Sequence, residues 1–111
     1  MGASQRRKGR EGQCQARHLL EDRDWSVLEL KAGVRSEDLV VEDPHGRRYS
    51  LECKKQKVVD LPRFLAQARA QAKTRKLPWA LLAHLHGTSS WLFVRQGERP
   101  TVWHSAKEAT S

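Results

Sequence analysis

SEDLVVEDPHGRRYSLECKKQ, residues Ser36 to Gln56, reads as two β-strands joined by a tight turn at Pro44-His45-Gly46. Asp38 opens the first strand, and Leu39-Val40-Val41 is a short apolar run of the kind found in strands covered on both faces. Arg47 to Lys54 forms the second strand, with Glu52, Cys53 and Lys54 near its end. Side chains alternate faces along a strand. Glu52 and Lys54 therefore share one face, and Leu51 and Cys53 take the other. A hairpin that sets Asp38 opposite the end of the second strand brings two carboxylates and one ammonium to one place.

Two carboxylates held close repel each other unless a proton or a cation stands between them. Mg²⁺ suits such a place, because it prefers oxygen ligands, uses few protein carboxylates and keeps several waters. Mn²⁺ is expected to substitute. Asp38 and Glu52 are the candidate metal ligands, joined by the backbone carbonyl of Cys53. Water acidified by such a cation can attack phosphorus. Lys54 would orient that water or neutralise charge gathering on a phosphate. This is the chemistry of phosphodiester hydrolysis. Glu-X-Lys alone is common by chance. Its weight here comes from the aspartate fourteen residues upstream, the strands on both sides and the turn between them.

The bulk composition agrees. A chain of 111 residues is expected to form one domain. Lysine and arginine number 21 against 13 acids, a formal charge of +8. Such a balance favours a polyanionic partner, either nucleic acid or an anionic membrane surface. No apolar run reaches the roughly 18 residues of a membrane span. The start, MGASQRRKGREG, lacks the apolar centre of a secretory signal and fits a myristoylation signal only in part. The two cysteines, Cys14 and Cys53, form no Cys-X-X-Cys pair, so no structural zinc site is expected and a reducing cytoplasm suits the chain. Cys53 is expected to be a reduced residue on the buried face of its strand. His84 and His86 alternate on one strand pattern, which fits a metal pair or, more simply, a half-exposed strand face.

Residues 1–8 read as a basic flexible arm, residues 9–96 as the folded domain and residues 97–111 as a polar tail. In the arm, Arg6, Arg7 and Lys8 suit a phosphate clamp or, alternatively, a solubilising tail. A first helix is predicted from between Gly9 and Gly12 to about Arg23, with Ala16, Leu19 and Leu20 on its apolar stripe and Arg10, Arg17 and His18 opposite. Trp25, Val27, Leu28 and Leu30 suggest a partly alternating strand. Lys31 to Arg35 is a basic loop, and Lys55 to Lys57 is a second beside the proposed site. Asp60 caps a helix over 61–75, in which Leu61, Phe64, Leu65, Ala68 and Ala72 keep helical rhythm and Pro62 sits in the first turn. WALLAHL (79–85) and WLFV (91–94) read as closing strands around a turn at Gly87-Thr88-Ser89. The order α-β-β-β-α-β-β predicts an α/β (α+β) fold with a central mixed sheet of about five strands flanked by helices.

These residues resemble the PD-(D/E)XK nuclease superfamily, with Glu37-Asp38 in the first half of the motif and Glu52-Cys53-Lys54 in the second. Within that superfamily the chain is most similar to the small archaeal and phage Holliday junction resolvases. The resemblance covers about Arg6 to Val94. It rests on Arg7-Lys8-Gly9, Trp25-Ser26-Val27, Glu37-Asp38-Leu39-Val40, Leu51-Glu52-Cys53-Lys54, the basic loop and helix that follow, and Trp91-Leu92-Phe93. It implies a restriction-endonuclease-like α-β-β-β-α-β core and a homodimer that cuts symmetric strands of a four-way DNA junction with Mg²⁺. Such resolvases carry a glutamate four residues after the first glycine. Gln13 stands there, so either Glu11 takes over the role or the role is lost. Some relatives use an arginine in the loop before the aspartate, for which Lys31 or Arg35 would substitute. Related nucleases often place a glutamine where Gln67 stands; here it either approaches the site or is an exposed helical residue.

Lys55, Lys57 and Arg63 flank the proposed site and are expected to contact phosphate, with Arg6, Arg7, Lys8, Arg10, Lys31 and Arg35 as further contacts. No base-reading motif is visible, so recognition is expected to follow shape and to be salt-sensitive. The expected activity is a structure-selective endonuclease of recombination or repair, working in the cytoplasm of a bacterium, an archaeon or a phage-infected cell. The alternatives are a nuclease of the same kind acting on flaps, nicks or linear duplex, and a non-catalytic DNA-binding module.

Overall fold

Every residue from Tyr49 to Lys54 is buried. An antiparallel strand with one wet face alternates between buried and exposed; burial on both sides requires a layer on each face. The computed structural model supplies both layers. It describes the backbone of residues 15–29 and 38–104, and the side chains of residues 15–28 and 39–104. In chain order come a helix α1 (15–21), β1 (Ser26–Glu29), β2 (Asp38–Glu42), β3 (Arg48–Lys54), a helix α2 (Leu61–Arg75), β4 (Trp79–His84), β5 (Ser90–Arg95) and β6 (Thr101–His104).

The strands form one sheet in the order β1-β2-β3-β4-β5-β6. Strands β3 and β4 run parallel and all other neighbours are antiparallel. A parallel pair needs a crossover, which α2 supplies. The fold is therefore mixed α+β, with six strands rather than about five. The additional strand is β6, which lies in the segment expected to be a polar tail. Only Trp103 is buried in it, so no periodic pattern marks it. One ring holds it instead: Trp103 stacks on Phe93 with centroids 4.1 Å apart and meets Trp25 edge-on at 6.0 Å.

The two faces differ. Toward α1, the sheet packs Leu39, Val41, Tyr49, Leu51, Cys53, Ala80, Leu82, Trp91, Phe93 and Trp103 against Ala16, Leu19 and Leu20. Fully burying one large apolar side chain stabilises a fold by about 1.5–3 kcal/mol, so this layer carries most of the hydrophobic stabilisation. Toward α2, Leu81, Ala83 and Val94 meet Phe64, with Leu61 and Leu65 half-buried around it. The stripe expected on α2 is the one that packs, and the helix has the predicted bounds. Asp60 Oδ1 accepts from the Arg63 amide at 3.4 Å, as an N-cap should.

Irregular features have local causes. A bulge between Val27 and Glu29 interrupts the β1–β2 ladder, which is why the apolar alternation there was incomplete and Leu28 is 40% exposed. Both helices end in a Schellman motif. The Trp25 amide reaches the Leu20 carbonyl and the Leu77 amide the Ala72 carbonyl, with Asp24 and Lys76 left-handed at φ 62° and 59°. The β2–β3 turn is tied by Asp43, whose Oδ1 accepts from the His45 and Arg47 amides at 2.9 and 2.8 Å. Asp43 is 6% exposed. Its Oδ2 meets Arg95 at 3.4 Å, and Arg95 also binds Glu98 at 2.6 Å. Burial works against the Arg95 charge, but Glu98 and Tyr49 outweigh it and hold the proton more firmly than in a free arginine.

No helix among the described residues is long and apolar enough to cross a membrane.

Candidate functional site

The β2–β3 register pairs Asp38 with Glu52, Leu39 with Leu51 and Val40 with Ser50. The hairpin thus sets the first acid of the motif directly across from the second. The side chain of Asp38 lies outside the described residues, so its register position is what the structure gives. Lys54 follows two residues after Glu52, where β3 runs beside β4 with Glu52 across from Leu81 and Lys54 across from Ala83.

Glu52 and Lys54 lie on the face beneath α2. Lys54 Nζ is 3.2 Å from Glu52 Oε1, and each side chain is 6% exposed. The Lys54 ammonium also lies 5.7 Å from the centroid of the Phe64 ring, within cation–π range. Removing both charges from water costs several kcal/mol per ion, offset in part by their mutual attraction. Apolar residues would fill this position at less cost, so the pair is a candidate for function on physical grounds. Cys53, between them, turns to the opposite face, where its thiol is buried against the α1 layer.

From α2, Gln67 stands one turn after Phe64 and is half-buried. Its Oε1 is buried without a hydrogen-bond partner among the described residues. The amide oxygen is therefore withdrawn from solvent, while the residue as a whole is half-buried. An unsatisfied buried acceptor costs about 1–3 kcal/mol.

The other residues singled out from the sequence fall into three groups. Lys55, Lys57 and Arg63 are exposed, just beyond the end of β3 and in the first turn of α2. Lys55 Nζ donates to Gln15 Oε1 at 2.8 Å, tying this end of β3 to α1. The N-terminus of α2 is capped by the Asp60 carboxylate, and its first turn holds no further acid. Glu11, Arg6, Arg7, Lys8, Arg10, Lys31 and Arg35 lie outside the described residues. His84 and His86 do not act together: His84 packs edge-on against Trp91 at 5.0 Å with Nε2 2.9 Å from the Thr88 carbonyl, and His86 lies in the turn after β4.

Among the described residues no three His, Cys, Asp or Glu side chains gather to hold a metal. The donors that the register brings to the end of β3 are oxygens: the Glu52 carboxylate, the Cys53 carbonyl and, at the position across from Glu52, Asp38. That set fits a hard divalent cation such as Mg²⁺ and does not suit zinc.

Two contributors escaped sequence reasoning. Phe64 lies over Lys54; the helical rhythm placed it against the sheet but not over any one strand residue. Arg75, at the end of α2, donates through Nη1 to Ser50 Oγ at 2.9 Å and to the Leu39 carbonyl at 3.3 Å. It fastens the helix across β2 and β3 one and two register steps from the Asp38–Glu52 pair, and no motif announced it. Compared with known family models and with characterised proteins, the chain matches none.

Proposed function

We propose that the chain is a Mg²⁺-dependent, structure-selective DNA endonuclease that hydrolyses phosphodiester bonds at four-way junctions, built on a restriction-endonuclease-like core. The observation that carries this reading is the register itself: Asp38 stands across from Glu52, with Lys54 3.2 Å from the Glu52 carboxylate. The location supports it as well. In sheets with a parallel crossover, ligands are commonly received at the carboxyl end of the strand that enters the helix. Glu52 and Lys54 occupy that end of β3, and the N-terminus of α2 follows.

Asp38, Glu52 and the Cys53 carbonyl would hold the cation, and Gln67 Oε1 would accept from a water beside it. Bound there, Mg²⁺ would supply the positive charge that acidifies water and offsets charge on the phosphate. Lys54 would hold the Glu52 carboxylate in place and present its ammonium to the phosphate oxygens. Lys55, Lys57 and Arg63 would draw the backbone toward the end of β3. A homodimer would place two such sites about a two-fold axis, matching the symmetry of a junction. A cytoplasmic setting would give the protein access to DNA.

The test is cleavage of a synthetic four-way junction beside a linear duplex, with Mg²⁺ and with Mn²⁺. Cleavage confined to the junction, and lost in both Asp38→Asn and Glu52→Gln, is expected. Equal cutting of both substrates would move the activity to flaps, nicks or plain duplex. Undiminished cutting by both variants would remove the proposed site.

One observation favours a second reading. Glu52 and Lys54 are nearly closed off from solvent, as a purely structural pair would be, and a non-catalytic DNA-binding module would have that arrangement. Junction binding without cutting under any cation would select it.

A further inference from the structure

At the end of the sheet away from Glu52, three connections come side by side. The β2–β3 turn (43–47), the entry to β4 (76–78) and the β5–β6 turn (96–100) all lie there. Hydrogen bonds join them to their neighbours: the Ser50 amide donates to the Pro78 carbonyl at 2.9 Å, and the Gln96 amide to the Trp79 carbonyl at 3.0 Å. Arg47, Lys76 and Arg99 lie in these connections, Arg48 opens β3 beside them, and all four are exposed. Of the acids nearby, Asp22 and Asp24 are exposed in the turn that leads into Ser26, across from Glu42, and the others are engaged or set back. Arg95 holds Asp43 and Glu98, and Glu42 is half-buried. Among the described residues, none of the four cations makes an ion pair.

We infer that this end of the sheet is a second contact surface for the sugar-phosphate backbone of the nucleic acid, formed by Arg47, Arg48, Lys76 and Arg99. The inference rests on the nucleic-acid part of the reading above, not on cleavage. Three of the four are guanidiniums, whose planar fork matches phosphate oxygens. They stand on supports that hold their shape: the Asp43-tied turn and the Schellman end of α2. A membrane surface fits less well, because peripheral attachment joins cations to inserted apolar groups. Among the described residues the large apolar side chains that are exposed are Leu28, Val58 and Val102, and none lies in these three connections. Four residues of strand separate Arg48 from Glu52, about 13 Å at the usual rise. That is well inside one turn of B-form DNA, roughly 34 Å. One bound DNA can therefore meet both ends of β3.

The test is the salt dependence of junction binding, measured in EDTA so that no cutting intervenes. The variant R47Q/R48Q/K76N/R99Q removes four charges while asparagine keeps the left-handed position at 76 tolerable. Each phosphate contact contributes about 0.9 to the slope of log K against log salt. The slope should fall by at least about 1 and at most about 3.6, while Arg17→Ala, on α1, leaves it unchanged. Above about 0.15 M salt, charges more than roughly 8 Å from the backbone are screened, so net charge alone does not imitate the result. An unchanged slope in the folded variant overturns the inference. Unchanged DNA binding with lost binding to phosphatidylserine vesicles overturns it in favour of a membrane surface. A lowered slope in a protein that never cuts DNA keeps the surface and removes the nuclease. Normal cutting with an unaltered slope does the reverse.

Discussion

The two faces of β3 are built to different ends. Tyr49, Leu51 and Cys53 enter a layer rich in aromatic rings, where Trp25 touches Tyr49, Phe93 and Trp103 at 5.5 to 6.0 Å. Ser50, Glu52 and Lys54, on alternate positions of the same strand, enter a layer with fewer apolar groups and a buried ion pair. Stability and candidate chemistry are thus divided by parity, one residue to each side in turn. The lesson is that the face under α2 accepts polar groups because the face under α1 carries the hydrophobic stabilisation.

The sharpest way to break this division is to damage each face and compare. Trp25→Ala should cost about 3–5 kcal/mol, as large-to-small core changes do. Lys54→Ala should cost a similar amount by a different route, since it removes one partner of a buried ion pair. Urea melts would measure both. The first is expected to leave cutting by the folded fraction intact, and the second to abolish it.

A smaller effect of opposite sign comes from E52L/K54M. Replacing a buried pair with apolar groups of similar volume is often neutral or stabilising by about 1–4 kcal/mol. Thermal and urea midpoints should hold or rise while junction cleavage disappears. A large loss of stability would mean that the pair serves the fold, and the two faces would then be doing the same work.

How much of this was legible follows the range of each interaction. Asp60, Pro62 and the stripe from Leu61 to Ala72 are local, and α2 formed over the predicted residues. The alternation in β3 and the turn at Pro44-His45-Gly46 are local too, and together they were enough to bring Asp38 across from Glu52. What the sequence did not reveal depends on partners far along the chain. Strand β6 exists because Trp103 finds Phe93 and Trp25, and Arg95 reaches Asp43 from 52 residues away. Parity placed Glu52 and Lys54 together but said nothing of their closure, which comes from the layer that includes Phe64. The bulge in β1 likewise has no signature beyond a broken alternation.

The smallest expected effect concerns Gln67. Leucine there would replace a buried amide oxygen that lacks a partner among the described residues, and stability should rise by about 1 kcal/mol. Cutting should weaken if that amide serves the site as proposed. Chemical denaturation and cleavage rates measured on the same preparation would show whether the two move in opposite directions.

The turn tied by Asp43 touches nothing at the far end of β3, yet it acts as a ruler for that end. Opposed residues are counted outward from it, Glu42 with Arg48, then pair by pair to Asp38 with Glu52. Shortening the count by one residue would rotate the whole strand by half a period. Leu51 and Cys53 would then look toward α2, and Glu52 and Lys54 would be driven among the tryptophans. The distance between a loop and a reactive centre is no measure of its bearing on that centre when a ladder of fixed steps lies between them.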